Sequence, residues 1–197
     1  MDTNGYIVFD EITKDTVIID PGAEGNKFID FIENEGLKPH AVILTHAHFD
    51  HIGAVSEIKK HFNIPLMVCL GEEQVLENKN INMSSVYSEP IELKADRIFN
   101  DGENISLGSL LFKVIITPGH TPGGGCFYFE KEKVLFSGDT LFYMSVGRSD
   151  FLLGSESDLI NSIKNKLMIL PDDVEVFSGH GPKTSIGYER KNNFFIR

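Results

Sequence analysis

The sequence has no tryptophan and only two cysteines, Cys69 and Cys126, among its 197 residues. Both lie inside apolar runs, Leu66-Met67-Val68-Cys69-Leu70 and Cys126-Phe127-Tyr128-Phe129, where a thiol serves as a small buried hydrophobe. A disulfide scaffold is thereby excluded, and a reducing cytoplasm is the expected compartment. The opening Met1-Asp2-Thr3-Asn4-Gly5 lacks a basic leader region, and no apolar run approaches the ~20 residues that span a bilayer, so no membrane association is expected. Cations are scarce too: 18 Lys and Arg stand against 29 Asp and Glu, a formal charge of −11. A field of that sign repels a phosphate backbone and argues against nucleic acid as a partner. The locally basic stretch Tyr188 to Arg197 reads as a solvated helix end.

What is present is a globular balance, 41% hydrophobic and 24% charged, expected to form one domain over residues 1–197. A chain of this length buries about 70% of the surface it would expose unfolded, so it needs no structural metal to fold. Any metal it binds is expected to serve catalysis.

Extended segments are expected at Tyr6 to Phe9 and Thr16 to Ile19, the second broken by Asp20-Pro21-Gly22. Phe28, Ile29, Phe31 and Ile32 follow helical spacing from Glu24 to Asn34, with Gly36 as a stop before a strand at Ala41 to Leu44. A helix from Ile52 to His61 and a buried strand from Leu66 to Leu70 follow, while the polar, aperiodic Asn78 to Glu89 predicts a long mobile loop. Four closely spaced strands come next: Asn104 to Leu107, Leu110 to Ile116, Cys126 to Glu130 and Val134 to Phe136. A helix capped near Ser155 and ended by Pro171, a strand from Val174 to Phe177 and a basic helix complete an α/β pattern.

The chemistry concentrates in Thr45-His46-Ala47-His48-Phe49-Asp50-His51, between a buried strand and a helix. Strand ends are where α/β folds present reactive groups. Imidazole binds zinc or ferrous iron well, and a carboxylate adds a hard anionic ligand. His46 and His48, two apart in extended chain, point the same way and can share one cation, while Asp50 and His51 at the following turn face a second. A loop that merely capped a helix would need one Asp and not three His. Three more strand ends carry one potential ligand beside glycine: Pro118-Gly119-His120-Thr121, Ser137-Gly138-Asp139-Thr140 and Ser178-Gly179-His180-Gly181. Together they offer His46, His48 and His120 for one metal and Asp50, His51 and His180 for another, with Asp139 free to bridge. His40 and His61 fit neither group and read as structural or exposed.

That ordered set resembles the metallo-β-lactamase superfamily over almost the whole chain. The resemblance implies a four-layer αββα sandwich with two divalent metal ions at the edge between two sheets, zinc first, with iron or manganese as alternatives. Gly138-Asp139-Thr140-Leu141-Phe142, Gly147-Arg148-Ser149-Asp150-Phe151 and Gly179-His180-Gly181-Pro182 look like the short glyoxalase II-like hydrolases. These imply hydrolysis of a small-molecule thioester or ester, with S-lactoylglutathione as the reference substrate and Arg148 as a cationic substrate contact; the alternative for Arg148 is a loop brace with Asp150. Asp50, as a catalytic residue, would orient the nucleophile, and a thiolate leaves without a general acid. Glyoxalase II has a further helical domain for glutathione, and this sequence ends at Arg197, so a weak grip on glutathione is expected. Family members commonly have a strand before the segment matching Asn4 to Val8; here the sheet edge would be open, which suggests a homodimer.

Other readings share these residues. A persulfide dioxygenase would use one iron held by His46, His120 and Asp139, but dioxygenases of this kind tend to have an acidic residue where Gly181 follows His180. A nuclease of this fold is opposed by the charge, and a structural zinc domain by seven ligands where four suffice. A β-lactamase is not expected, because the zinc enzymes of that kind generally have Cys at the place of Asp139.

Overall fold

A computed structural model of the chain describes residues 2–196. Its first half forms a five-stranded sheet in the spatial order β1 (Tyr6–Phe9), β2 (Asp15–Ile19), β3 (Lys38–Ile43), β4 (Leu66–Cys69), β5 (Arg97–Phe99). β1 and β2 make an antiparallel pair and the remaining neighbours run parallel. Parallel neighbours need crossovers, supplied by α1 (Gly25–Asn34) before β3, α2 (Phe49–Ile52) and α3 (Val55–Phe62) before β4, and α4 (Glu73–Leu76) and α5 (Ser84–Tyr87) before β5.

The second sheet comprises β6 (Asn104–Leu107), β7 (Leu110–Ile116), β8 (Gly125–Phe129), β9 (Val134–Gly138), β12 (Glu175–Ser178) and β13 (Thr184–Ser185). β9 and β12 are parallel and the other neighbours antiparallel. A small hairpin, β10 (Leu141–Phe142) with β11 (Ser145–Val146), follows β9. On the outer face lie α6 (Glu156–Ser162), which runs into a π-helical turn at Ile163–Leu167, and α7 (Ile186–Asn192).

Strand alternation sorts the side chains into the layers of an αββα sandwich. Ile18 and Val42 face α1 and α3, while their neighbours Val17, Ile19, Ala41 and Ile43 face the other sheet. In β8, Phe127 and Phe129 point between the sheets, against Phe112 and Phe136, and Cys126 and Tyr128 point to α6 and α7. Three apolar layers thus separate four layers of secondary structure. Burial pushes the Cys126 thiol up to about 11, as suits a cysteine that serves as core.

Three expectations need correction. The helix expected from Ile52 to His61 is α3 and begins later, at Val55, because Gly53 and Ala54 pass so close to Pro21 and Gly22 that Ala54 N–H donates to Pro21 O at 2.9 Å. The stretch Asn78 to Glu89 is not a structureless loop: it contains α5 and is organised by the buried Asn82. Asn82 accepts at its backbone oxygen from Phe49 N–H (2.9 Å) and donates from Nδ2 to Ile91 O (2.8 Å). Hydrogen bonds there replace the apolar periodicity that sequence reading depends on. The basic end is likewise more than solvated, since Arg190 pairs with Asp172 and donates to Met168 O and Leu170 O. Arg197 lies outside the described residues. Among the described residues no helix is long and apolar enough to cross a membrane.

Candidate metal centre

Four strand ends converge on one edge of the sandwich. The loop after β3 delivers His46 and His48, and α2 follows at once with Asp50 and His51. His120 lies between β7 and β8, Asp139 directly after β9, and His180 just after β12. The donor atoms of His46, His48 and His120 all lie within 4.8 Å of one another, as do those of Asp50, His51 and His180. Asp139 stands between the two groups. Its Oδ2 is 3.6 Å from His120 Nε2 and 3.4 Å from His180 Nε2, and its Oδ1 is 3.6 Å from His51 Nε2.

The ring orientations are fixed from behind. His120 Nδ1 donates to Arg148 O (2.6 Å) and His180 Nδ1 to Asp2 O (2.8 Å), leaving each Nε2 aimed inward. His51 Nδ1 lies 3.1 Å from Asp20 Oδ2, so its Nε2 also faces the centre. Tyr6 OH and Asn4 Nδ2 both donate to Ser178 O and steady the loop that carries His180.

The residues suit cations. His46 Nε2, His51 Nε2 and Asp139 Oδ1 are buried without a hydrogen-bond partner, which is costly unless something else satisfies them. His48 Nδ1 and His120 Nε2 face each other at 2.9 Å. Gly179 leaves the cradle open: a Cβ there would come 2.7 Å from His51 Cε1 and closer still to Asp139 Oδ1.

The electrostatics differ between the two groups. Burial holds His46 and His120 below the usual imidazole range and pushes His48 down to about 3, so all three are neutral. Hydrogen bonds to Asp139 and Asp50 raise His180 to about 10. Burial works against His51, yet Asp139 and Asp20 lift it above its ordinary value. Burial also opposes the charge on Asp50, but His180, His51 and Thr3, whose hydroxyl donates to Asp50 Oδ2 at 2.8 Å, hold that carboxyl low.

Arg148 lies beside this centre, but its side chain is engaged. Its Nε and Nη2 donate to the two oxygens of Asp150, each at 2.9 Å, and the guanidinium sits 4.4 Å over the Phe151 ring. Phe151 in turn stands edge-on to His48 and His120. His40 and His61 are paired elsewhere, with Asp15 and Glu33.

Two acidic residues went unnoticed in the sequence. Asp20 at the end of β2 accepts from Thr45 N–H (2.7 Å) and Thr45 Oγ1–H (2.5 Å) besides facing His51. Glu72, fully buried after β4, accepts from Ala47 N–H (2.9 Å). Each is an acid just past a buried strand, the same signal that marked Asp139; Asp20-Pro21-Gly22 was read only as a breaker.

The model of the metallo-β-lactamase superfamily matches residues 2–180. The chain belongs to that superfamily. Probable metallo-hydrolase YqgX of Bacillus subtilis is 37% identical over 182 residues, 91% of this chain and 86% of the relative. Hydroxyacylglutathione hydrolase GloC of Haemophilus influenzae is 36% identical over 98% of this chain and 92% of its own length. Among solved structures, BLEG-1 B3 metallo-β-lactamase superposes with a TM-score of 0.93 at 42% identity, covering 98% of this chain and 94% of that one. TTHA1623 in a di-iron-bound form has a TM-score of 0.86 at 34% identity, covering 98% and 95%. The superfamily protein is a metallo-hydrolase whose His and Asp clusters suit divalent metal.

Proposed function

We propose that the protein is a binuclear thioester hydrolase, similar in activity to hydroxyacylglutathione hydrolases, and that its two ions are zinc, with iron or manganese as alternatives. The observation that carries the two-ion reading is Asp139, whose Oδ2 lies between His120 of one ligand group and His180 of the other while Oδ1 turns to His51. The name of the Haemophilus relative supports the thioester. When bound, two such ions supply a hydroxide nucleophile at neutral pH and a Lewis acid for the carbonyl oxygen.

The chain's own groups would do the rest. Asp50, held by Thr3 and His180, would orient the nucleophile through Oδ2. Phe151 would shield the trio of histidines from water on one side. A cleft of about 530 Å³ opens beside Asp50, lined by Phe49, Ser88, Ile91 and the acidic Asp2, Glu24 and Glu89. Acidic walls disfavour an anion, so an anionic end of the substrate would turn toward Arg148 instead. Its pair with Asp150 is solvent-exposed and thus weak enough to be exchanged for a substrate carboxylate. The leaving thiolate needs no proton donor.

A persulfide dioxygenase reading, with one iron on His46, His120 and Asp139, leaves the assembled Asp50, His51 and His180 without a role. β-Lactam hydrolysis is a second reading, favoured by the likeness to BLEG-1. Metal content of protein purified without chelator should be measured alongside hydrolysis of S-lactoylglutathione, opening of a β-lactam and oxygen uptake with glutathione persulfide. Two metal equivalents with dominant thioester cleavage support the proposal. One iron with oxygen uptake, or faster lactam opening, overturns it.

A further inference from the structure

Glu72 is a fully buried carboxylate that belongs to neither ligand group. It lies between β4 and α4, and its two oxygens reach in different directions. Oε1 accepts from Ala47 N–H (2.9 Å), and Oε2 accepts from Thr121 Oγ1–H (2.8 Å) and Gly123 N–H (3.1 Å). Ala47 stands between His46 and His48, and Thr121 directly follows His120. One side chain therefore grips both chain segments that deliver the trio, one from each sheet.

We propose that Glu72 is the positioning residue of the His46, His48 and His120 group, holding the two loops at the separation at which the three nitrogens are already gathered for one cation. Asp20 faces His51 of the other group directly and also binds Thr45 beside His46, but among the described residues it hydrogen-bonds nothing on the His120 loop; Glu72 ties that loop to the segment of His46 and His48 through side-chain hydrogen bonds. Backbone packing reinforces the grip: a Cβ on Gly123 would lie 2.5 Å from the carbonyl carbon of Gly71, so the turn before Glu72 and the loop after His120 touch main chain to main chain. Only a carboxylate serves at this place. Three donors converge on it, and glutamine, with one acceptor oxygen, would turn its NH2 toward a backbone N–H. A buried donor left facing a donor costs more than the bond it replaces.

The inference rests on the metal-centre reading and not on the thioester. Its test is cobalt(II) titration of the full chain against a competing chelator, followed by visible absorption, with thermal melts in parallel. In a His180→Ala background only the trio is complete; in a His48→Ala background only the other group is. Glu72→Gln and, independently of its folding, Thr121→Val should weaken cobalt binding at the trio by about 10- to 100-fold. Thr121→Ser should restore it, and the other group should change by less than about threefold. Leu76→Ala, a buried truncation in α4, should lower the melting temperature and leave the trio's affinity in place. Unchanged trio affinity in both Glu72→Gln and Thr121→Val would overturn the inference. So would equal weakening of both groups, or a trio loss reproduced by Leu76→Ala. Failure of the unmodified chain to bind cobalt would overturn the metal centre and this inference with it.

Discussion

Replacing Gly22 with alanine should disable one metal group and spare the other. An added Cβ at Gly22 would lie 2.8 Å from the carbonyl carbon of Asp50 and nearer still to its oxygen. Non-bonded carbons rest about 3.5–4.0 Å apart, so the backbone at Asp50 and His51 must retreat by about 1 Å. No flexible side-chain tip is available to yield, because the obstacle is main chain at the start of α2. Overpacking of this kind costs about 1–3 kcal/mol of stability, and a displacement of about 1 Å at reacting groups costs about 100-fold in rate. Gly22→Ala should therefore melt a few degrees lower, lose about 100-fold in kcat/KM for a thioester, and release the ion at Asp50, His51 and His180 at least tenfold more readily. The trio, anchored through Glu72, should keep its affinity within about threefold. Melting curves, steady-state kinetics and chelator competition read these out separately. Activity within twofold of the unmodified chain with both ions retained would refute the close-contact reasoning.

Metal uptake should depend on pH at one group only. With His180 near 10, that imidazole is protonated at pH 7 without metal and a cation must expel its proton, while Asp139 and Asp20 raise His51 in the same direction; affinity there should climb about tenfold per pH unit for each proton displaced between pH 6 and 8. The neutral trio should show a nearly flat profile, and calorimetry in buffers of different ionisation enthalpy would expose equal slopes if this is wrong. Asp139→Ala should abolish nearly all turnover and uncouple the two binding steps; half the activity remaining would place Asp139 outside the chemistry. Arg148→Ala should raise KM for an anionic thioester about tenfold and leave an uncharged one as before, whereas equal losses on both with a lower melting temperature would make the pair with Asp150 a brace. Phe127→Ala, at the centre of the inter-sheet layer, should cost about 3–5 kcal/mol in denaturant unfolding; a loss under about 1 kcal/mol would contradict that placement.

The sandwich was legible where the chain alternates strongly. Leu110 to Ile116 alternates buried and exposed side chains until its last three residues, and Val17, Ile18 and Ile19 announce their strand as an apolar run buried on both faces. β10, β11 and β13 span two residues each, too short for any period to register. β5 was missed because Arg97 and Ile98 are exposed and only Phe99 is buried. The structure gathers the seven side chains singled out as ligands, since glycine-flanked His and Asp at strand ends leave a local trace. Asp20 and Glu72 were overlooked because an acid that hydrogen-bonds main chain looks, in one dimension, like a turn residue. The pairing of Arg148 with Asp150 was foreseeable from spacing, and only its geometry shows both oxygens engaged.

Each candidate ion would draw two ligands from loops of the first sheet and one from loops of the second, with Asp139 also from the second. Neither half of the chain holds a complete set. Bound metal would thus act as a pair of stitches across the seam between the sheets. The exposed turn at Asp101 and Gly102, between β5 and β6, is the natural place to open that seam. Two fragments divided there would have every strand of their own sheet yet need each other to complete either binding site, so divalent metal in the surrounding solution would strengthen a reassociation begun by the apolar layer between the sheets.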